Sequence, residues 1–307
     1  MTKRRNSAMR VGLAAVGILA LGALSACSGG GSGSSSDDSS QSTLQKLKDK
    51  GSITVAVADE RPYSWADDSG KGQGATIAID RKIFKALGID DVKVVETDWN
   101  SLIPGLNAGR YDAVSAGMSI LPDRCAKAAF ADPEIMYTTT LMVKKGNPLH
   151  LSDMKSVKKA QDSGKKVKLA VLNGGIEAGY AKKMDIKTSQ SVKDAQAGMD
   201  AVSSGRADAF AMTAVSLNNM VKNHPNSGVQ TTKEFIANID GVKQYGAGTE
   251  VFRKSDSKLL KAYNAQLDKI TSDEGTYVGL IGKFGFTKAS MPPADLTTEQ
   301  LCKGDLS

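Results

Sequence analysis

Short apolar runs alternate with helix-spaced apolar positions along the first half of the chain. Residues 53–58 (ITVAVA) are apolar and β-branched without helical spacing, which predicts a strand, and residues 77–87 predict a helix that ends at Gly88. The alternation continues with predicted strands at 92–95 and 113–116 and a predicted helix from Leu102 to the turn at Gly109. This order of elements is typical of an α/β fold in which βαβ units form a parallel sheet.

A second round of the same pattern begins near residue 167, with a predicted strand at 167–172 and a predicted helix at 177–183. Ser191 with Asp194 three residues later resembles a capping box, and the apolar spacing from Val192 predicts an amphipathic helix that ends at Gly205. The segments 109–113 (GRYDA) and 205–209 (GRADA) have the same place in the two rounds. The sequence therefore predicts two similar α/β lobes.

The C-terminal part departs from this order. A helix with one apolar face is predicted to start near Ser255, and a short apolar segment follows at 277–286. Parallel α/β sheets bind ligands beyond the carboxyl ends of their strands, and a cleft between two lobes is a preferred ligand site. We therefore expect the functional side chains at strand ends that face such a cleft.

The N-terminus has the pattern of an export signal. Four basic residues precede an apolar run at 11–24, whose 14 residues are fewer than the roughly 20 that span a bilayer. The run ends in residues 24–27 (LSAC), which resemble a bacterial lipobox, so we expect a signal peptide at 1–26 and a lipid on Cys27. An ordinary signal peptide cut elsewhere is the alternative. The Ser- and Gly-rich residues 27–43 predict a flexible tether that holds the folded body close to the membrane.

Composition narrows the function classes. The 307 residues carry a net charge of +7, but four of the positive charges lie in the first ten residues, whereas a nucleic-acid-binding surface needs a clustered basic patch. His150 and His224 have no metal-ligand spacing, and three cysteines are too few for a zinc ribbon. No nucleotide-binding motif and no nucleophile–base constellation is visible in the sequence. We expect no nucleic acid, no metal, no cofactor and no catalytic residues.

Charged and aromatic residues cluster where the first lobe's predicted strands end. Glu60 and Tyr63 follow the first strand, and Trp99 follows the second. A carboxylate beside aromatic faces suits a small delocalised cation. Packing at the rim of the lobe is the alternative for each aromatic residue taken alone.

The third strand leads into Gly117, Ser119 and then Arg124, which lies at a predicted helix start after a proline. This position favours a bidentate grip on a carboxylate, with a surface salt bridge as the alternative. In the second lobe, Thr213 lies 96 residues after Gly117, and Glu177 opens a helix after a Gly-Gly turn. Both are expected at the cleft, although helix capping explains them equally well.

The motifs LIPGLNAGRYD (102–112), PDR (122–124) and FADP (130–133) resemble bacterial solute-binding protein family 3, the extracytoplasmic receptors of polar amino-acid ABC importers. The resemblance covers essentially the whole mature chain. It implies a two-lobed, periplasmic-binding-protein-like (type II) α/β fold with a ligand cleft between lobes. It implies lobe 1 at 44–140, lobe 2 at 141–248, and a return to lobe 1 with C-terminal helices at 249–307. A hinge is expected near 137–144 and 246–252.

Within that family, further segments resemble the ectoine/hydroxyectoine-binding subgroup: 60–63 (ERPY), 97–99 (TDW), 177–180 (EAGY) and 300–304 (QLCKG). By that resemblance Glu60 pairs with the ligand's amidinium, Tyr63 and Trp99 stack on its ring, and Arg124 holds its carboxylate. Amino-acid receptors usually have Thr and Asp where this chain has Leu121 and Thr213, which argues against a primary α-amine. Receptors of the ectoine subgroup often have an aromatic residue at the position of Ser119.

The resulting prediction is a lipid-anchored, monomeric substrate-binding protein that closes on a small zwitterionic solute and docks on membrane permease subunits. Acylation of Cys27 would leave Cys125 and Cys302 in an oxidising compartment, where we expect a disulfide, with two separate thiols as the alternative. Three other functions stay open: the same receptor fold with a polar or cationic amino acid, a solute-binding-like lyase or dehydratase, and an anchored sensor or adhesion module.

Overall fold

The computed structural model describes residues 41–304. The predicted signal peptide, Cys27 and the tether up to Ser40 lie outside these residues. Within residues 41–304, none of the helices combines the length and the apolar character needed to cross a membrane. The first helix begins at Thr43, and the Ser42 hydroxyl caps it by accepting from the Gln45 N–H.

The elements follow one another in three segments, of which the first and third belong to the first lobe. The first segment contains α1 Thr43–Lys50, β1 Ser52–Val57, β2 Trp65–Ala66, β3 Gly72–Gln73, α2 Ala75–Ala86, β4 Asp91–Glu96, α3 Leu102–Asn107, β5 Ala113–Ser119, α4 Pro122–Cys125, β6 Ala129–Phe130 and β7 Ile135–Tyr137. The second contains β8 Thr139–Lys144, α5 Met154–Asp162, β9 Leu169–Leu172, α6 Ile176–Lys183, β10 Thr188–Val192, α7 Ala195–Ser203, β11 Ala209–Thr213, α8 Ala214–Asn223 and β12 Val229–Thr231. A hairpin, β13 Ala237–Ile239 and β14 Val242–Gln244, precedes the third segment of β15 Gly246–Phe252, α9 Ser257–Thr271, α10 Glu274–Ile281 and α11 Thr298–Lys303.

Each lobe is built on one mixed sheet. The first sheet has the order β4-β1-β5-β15-β6, with β7 also paired to β15, and the second has the order β10-β9-β11-β8-β12. The three strands β4, β1 and β5 are parallel, as are β10, β9 and β11. The remaining strands are antiparallel to their neighbours, which the prediction of a purely parallel sheet missed. The reason is that β8 and β15 enter their sheets directly from the other lobe, without a helical crossover.

Alternating side chains of the central strands fill a separate core on each face of the sheet. In β1, Val55 and Val57 pack into one cluster and Ala56 into the other. In β11, Ala211 packs on one face and Phe210 on the opposite face. Because both faces are covered, most residues of these strands are apolar, which is why an apolar run predicted β1.

The chain changes lobe twice. It leaves the first sheet after Tyr137, enters the second at Thr139, and returns with β15. The expected boundary at 140/141 lies just inside β8, and the one at 248/249 falls within β15, all of which pairs in the first sheet. The two-lobed α/β fold predicted from the sequence is confirmed.

One predicted helix start is wrong. Asp194 is the N-cap of α7, and its carboxylate accepts from the Ala197 N–H at 2.7 Å, so it is not the third residue of a box begun by Ser191. Ser191 instead pairs with Val171 in the parallel ladder between β10 and β9. Strand β10 was not predicted because this edge strand is polar and mostly exposed.

Candidate functional site

The carboxyl ends of the parallel strands in the two sheets meet at a closed cleft. Seven of the eight predicted site residues line one cavity there: Glu60, Tyr63, Trp99, Gly117, Ser119, Glu177 and Thr213. The cavity volume is about 20 Å³, which accommodates about one water molecule. A ring-sized solute therefore requires the lobes to open and close again around it.

Glu60 joins the lobes through its carboxylate. Its Oε1 accepts from the Thr213 hydroxyl at 2.9 Å and from the Ser216 hydroxyl at 2.7 Å, and both donors belong to the second lobe. Burial raises the pKa of Glu60, and the two hydroxyl donors together with the charge of Arg124 partly offset this rise. The other oxygen, Oε2, has no hydrogen bond within residues 41–304.

Tyr63 lies against the bend of strand β5. It is 2% exposed, and a Cβ on Gly117 would approach its Cδ1 to 2.6 Å. Gly117 has a φ of +55°, a conformation that glycine adopts without strain. The Tyr63 hydroxyl is buried and has no hydrogen-bond partner among the described residues.

Trp99 and Arg124 reach from the first lobe to the same carbonyl of the second. The Trp99 indole N–H donates to the Gly174 oxygen at 3.3 Å, and Arg124 Nη2 donates to it at 2.8 Å. The Arg124 guanidinium carbon also lies 5.5 Å from the Trp99 ring centroid, a cation–π distance. Gly174 lies between β9 and α6 with a φ of +73°, which turns its carbonyl into the cleft region.

Arg124 lies beside the cavity and does not line it. Its Nη1 donates to the Ser119 carbonyl at 3.0 Å, so both observed bonds of the guanidinium go to backbone oxygens. Within residues 41–304 Arg124 makes no ion pair. Burial lowers its pKa from the usual value, as expected for a cation removed from water. A carboxylate entering the cleft would supply the missing charge partner.

Glu177 is buried in the first turn of α6, 2% exposed, and its Oε1 accepts from the Thr139 hydroxyl at 3.2 Å. Burial raises its pKa to about 7, and the charge of Glu60 contributes to the rise.

Tyr137 and Ser216 are polar cleft residues that were not predicted from the sequence. Tyr137, the last residue of β7, lines the cavity, and its hydroxyl hydrogen-bonds the Ser119 hydroxyl. Ser216 lies in the first turn of α8 and donates to Glu60. Two sequence signals could have indicated these residues. Tyr137 lies in the expected hinge, and Ser216 follows Thr213 by three residues.

Cys125 and Cys302 lie together beside this site. Their Cα atoms are 5.7 Å apart and their Sγ atoms are at bonding distance. Cys125 ends α4, the short helix that carries Arg124, and Cys302 belongs to α11. The arrangement links the C-terminal helix to the helix that positions the guanidinium.

Comparisons with known proteins agree with this architecture. Residues 53–287 match the bacterial extracellular solute-binding proteins, family 3. The chain is 30% identical over 266 residues to the probable amino-acid ABC transporter periplasmic-binding protein y4tE of Sinorhizobium fredii (strain NBRC 101917 / NGR234), over 85% of this chain and 86% of the relative. The crystal structure of EhuB in complex with hydroxyectoine is 32% identical, with a TM-score of 0.72 over 85% of this chain and 97% of EhuB. The ancestral amino acid-binding protein AncCDT-1, a precursor of cyclohexadienyl dehydratase, is 28% identical, with a TM-score of 0.67 over 80% of this chain and 99% of its own.

Two α/β lobes that close on a charged, aromatic-lined cavity define a solute-binding protein of the two-lobed type. The chain belongs to the bacterial extracellular solute-binding proteins, family 3, as its sequence resemblance predicted.

Proposed function

We propose that this protein is the extracytoplasmic substrate-binding protein of an ABC importer and that its ligand is a small zwitterionic compatible solute, ectoine or hydroxyectoine. The observation that carries the proposal is the charge arrangement of the cleft. Within residues 41–304, Glu60 Oε2 has no hydrogen bond and the Arg124 guanidinium has no ion-pair partner. The aromatic residues Tyr63 and Trp99 line the cavity beside Glu60, and Arg124 lies against the Trp99 ring. A ring that carries an amidinium and a carboxylate matches both charges.

Each residue of the site has a role in this proposal. Glu60 pairs with the amidinium, the rings of Tyr63 and Trp99 pack on the heterocycle, and Arg124 holds the carboxylate in a fork of donors. Gly117 lets the Tyr63 ring approach the strand, and Ser119 presents a hydroxyl. Thr213 and Glu177 belong to the second lobe, where Thr213 fixes the orientation of Glu60 on closure.

The similarity to EhuB, whose structure contains hydroxyectoine, supports the ligand assignment. Thr213 supports it as well, because amino-acid receptors usually have Asp at this position to hold the ligand's primary ammonium, and a hydroxyl does not supply that negative charge. The runner-up is a polar or cationic amino acid. It is supported by relatives such as the lysine/arginine/ornithine-binding periplasmic protein of Escherichia coli (strain K12), 28% identical over 231 residues. The dehydratase-related neighbour AncCDT-1 keeps a lyase activity as the alternative from another class.

A thermal-shift panel followed by calorimetry separates these functions. The panel contains ectoine, hydroxyectoine, arginine, lysine and glutamine. A ligand at 100 times its Kd stabilises the folded protein by about 2.7 kcal/mol, so the true ligand gives a clear shift. We expect ectoine or hydroxyectoine to bind more tightly than every amino acid and to be recovered unchanged. Tighter binding of an amino acid overturns the ligand assignment, and product formation overturns the receptor assignment.

The anchor and the partner complete the proposal. A diacylglycerol on Cys27 would hold the monomeric receptor near the permease subunits, with the tether as a spacer. Intact-mass analysis of the membrane-bound protein, compared with a Cys27→Ser variant, tests the lipid. A wild-type mass without lipid would contradict it.

A further inference from the structure

Tyr137 stands at the point where the chain passes from one lobe to the other and reaches into the cleft. It is the last residue of β7, it is followed by Thr138, and Thr139 begins the second sheet. Its side chain lines the same cavity as Glu60 and Tyr63. The Tyr137 side chain would therefore lie beside a ligand enclosed by the lobes.

The surroundings of Tyr137 fix the ring in place. Gly246 in β15 pairs with Tyr137, and a Cβ on Gly246 would lie 2.2 Å from the Tyr137 Cε2 atom. A Cβ on Gly248 would lie 3.1 Å from its Cε1. The Tyr137 ring therefore packs directly on the backbone of these two glycines, and a side chain at either position would leave it too little room. On another side, Tyr63 meets it in a T-shaped contact, with ring centroids 6.0 Å apart and planes at 87°.

Ser119 fixes the hydroxyl end. The Ser119 and Tyr137 hydroxyls hydrogen-bond each other, and in residues 41–304 neither oxygen has another hydrogen bond. Two hydroxyls carry two protons, and their mutual bond uses one of them. The pair therefore has one O–H left to donate beside Arg124, whose guanidinium binds the Ser119 carbonyl.

We propose that Tyr137 is a specificity-determining residue that supplies the third aromatic wall of the cleft and, together with Ser119, a hydroxyl donor for the ligand's polar group. The proposal rests on the proposed function, because it concerns the binding of a ring-shaped delocalised cation. It explains why a small residue is suitable at position 119. A larger side chain there would compete for the space of the Tyr137 hydroxyl and remove its partner.

The test measures ectoine binding by calorimetry, and melting without ligand, for the wild type and four variants. Tyr137→Phe keeps the ring and removes one hydroxyl, and we expect a loss of affinity of about 2- to 10-fold. Tyr137→Leu removes the ring as well, and we expect a larger loss, up to about 30-fold beyond that of Tyr137→Phe. Tyr245→Leu is the control, because Tyr245 is an exposed aromatic residue directly before β15 and does not line the cavity. It should bind as the wild type does.

The fourth variant combines Ser119→Phe with Tyr137→Leu. It offers an aromatic ring from β5, where the position 119 side chain contacts that of Tyr137 in the wild type. If the Tyr137 ring acts as an aromatic wall, this double variant should bind ectoine more tightly than Tyr137→Leu alone. If Tyr137 has only a structural role, the double variant should not recover ectoine affinity. Affinity of Tyr137→Leu equal to that of Tyr137→Phe refutes the wall, and wild-type affinity of Tyr137→Phe refutes the donor. If Tyr137→Leu does not fold, Tyr137→Phe and Tyr137→Trp take its place, and the wall then requires both to retain affinity within about 10-fold. Failure of the wild type itself to bind ectoine or hydroxyectoine refutes the proposed function, which is a separate result.

Discussion

At the scale of single residues, the cleft is defined by side chains whose charges lack full partners. Arg124 donates to two backbone oxygens, and Glu60 receives two hydroxyls on one oxygen only. Neutral partners hold these groups in position without cancelling their charge. Such an arrangement keeps each group oriented in the closed form and leaves its charge for the ligand.

Replacing Arg124 tests this arrangement most directly. Arg124→Ala should weaken binding of a carboxylate ligand by about 2–5 kcal/mol, because the bound carboxylate would be desolvated without its charge partner. Arg124→Lys should recover only part, since an ammonium cannot reproduce the planar fork. Titration calorimetry on both variants measures the loss, and Arg110→Ala, at an exposed arginine in the same lobe, serves as the control.

A ligand analogue without the carboxylate completes a double-mutant cycle with Arg124→Ala. The variant should bind this analogue nearly as well as the wild type does. Zero coupling between the arginine and the carboxylate would give Arg124 a structural role only.

Gly117 makes a second prediction at this scale. Gly117→Ala places a methyl group 2.6 Å from the Tyr63 ring and strains a backbone with a φ of +55°. We expect a loss of stability of about 1–3 kcal/mol together with weaker ligand binding. Gly179→Ala is the matched control, because Gly179 is exposed in α6 with open space around it, and alanine there should be neutral or stabilising. Equal melting temperatures of the two variants would show that Tyr63 gives way without cost.

At the scale of elements, burial decides which strands the sequence could predict. Strands β5 and β9 are buried at every position, and their apolar runs at 113–116 and 167–172 predicted them. Strand β15 is also buried at every position, but its sequence GAGTEVF contains Thr249 and Glu250, so only a hinge was expected there. The polar β10 was read as the start of a helix. The strand-end rule placed Glu60, Trp99 and Arg124 correctly near the cleft. It could not place Ser216, because its bond to Glu60 joins residues 156 apart in the chain and depends on how the lobes close.

The contact between Cys125 of α4 and Cys302 of α11 predicts a disulfide that links these two helices. If Cys125 and Cys302 form a disulfide, it holds the four-residue helix α4 and thereby positions Arg124. A secreted form lacking Cys27 should show no free thiol when denatured without reductant. Reduction should lower stability by up to about 5 kcal/mol on the chain-entropy view, because the closed loop is long. Two free thiols in the unreduced protein would rule out the bond.

At the scale of the whole molecule, both lobes have the same strand order, and each receives one strand directly from the other. The sequence echo at 109–113 and 205–209 marks the turns before the equivalent strands β5 and β11. The two-lobed plan was therefore predictable from local pattern. The closed cleft was not, because every bond across it joins residues that are distant in the chain.

The first lobe also contains three buried carboxyl groups near the strands through which the chain changes lobe. Asp80 accepts from Tyr263 at 2.9 Å and from Ser115 at 2.5 Å, and Glu134 accepts from the same Tyr263 hydroxyl at 3.3 Å. Both oxygens of Glu250, in β15, lack hydrogen-bond partners among the described residues. In that part of the chain none of the three carboxyls forms an ion pair, and Arg81, next to Asp80, donates instead to the Gly72 carbonyl.

This cluster predicts that the free energy of unfolding falls as pH rises. Burial raises the pKa of Asp80 to about 7, and burial together with the neighbouring carboxyls raises the pKa of Glu134 and Glu250. Because the folded-state pKa of Asp80 lies above its unfolded value of 3.8, its contribution is fully present below about pH 4 and is lost as pH rises through about 7. Each pKa unit of difference corresponds to about 1.4 kcal/mol. Urea unfolding between pH 4 and pH 8 measures the slope, and Glu250→Gln, which removes one acid of the cluster, should flatten it. An unchanged slope in Glu250→Gln would show that the pH dependence arises outside the cluster. The next candidates would be Glu60 and Glu177 in the cleft, because burial raises the pKa of both carboxyl groups.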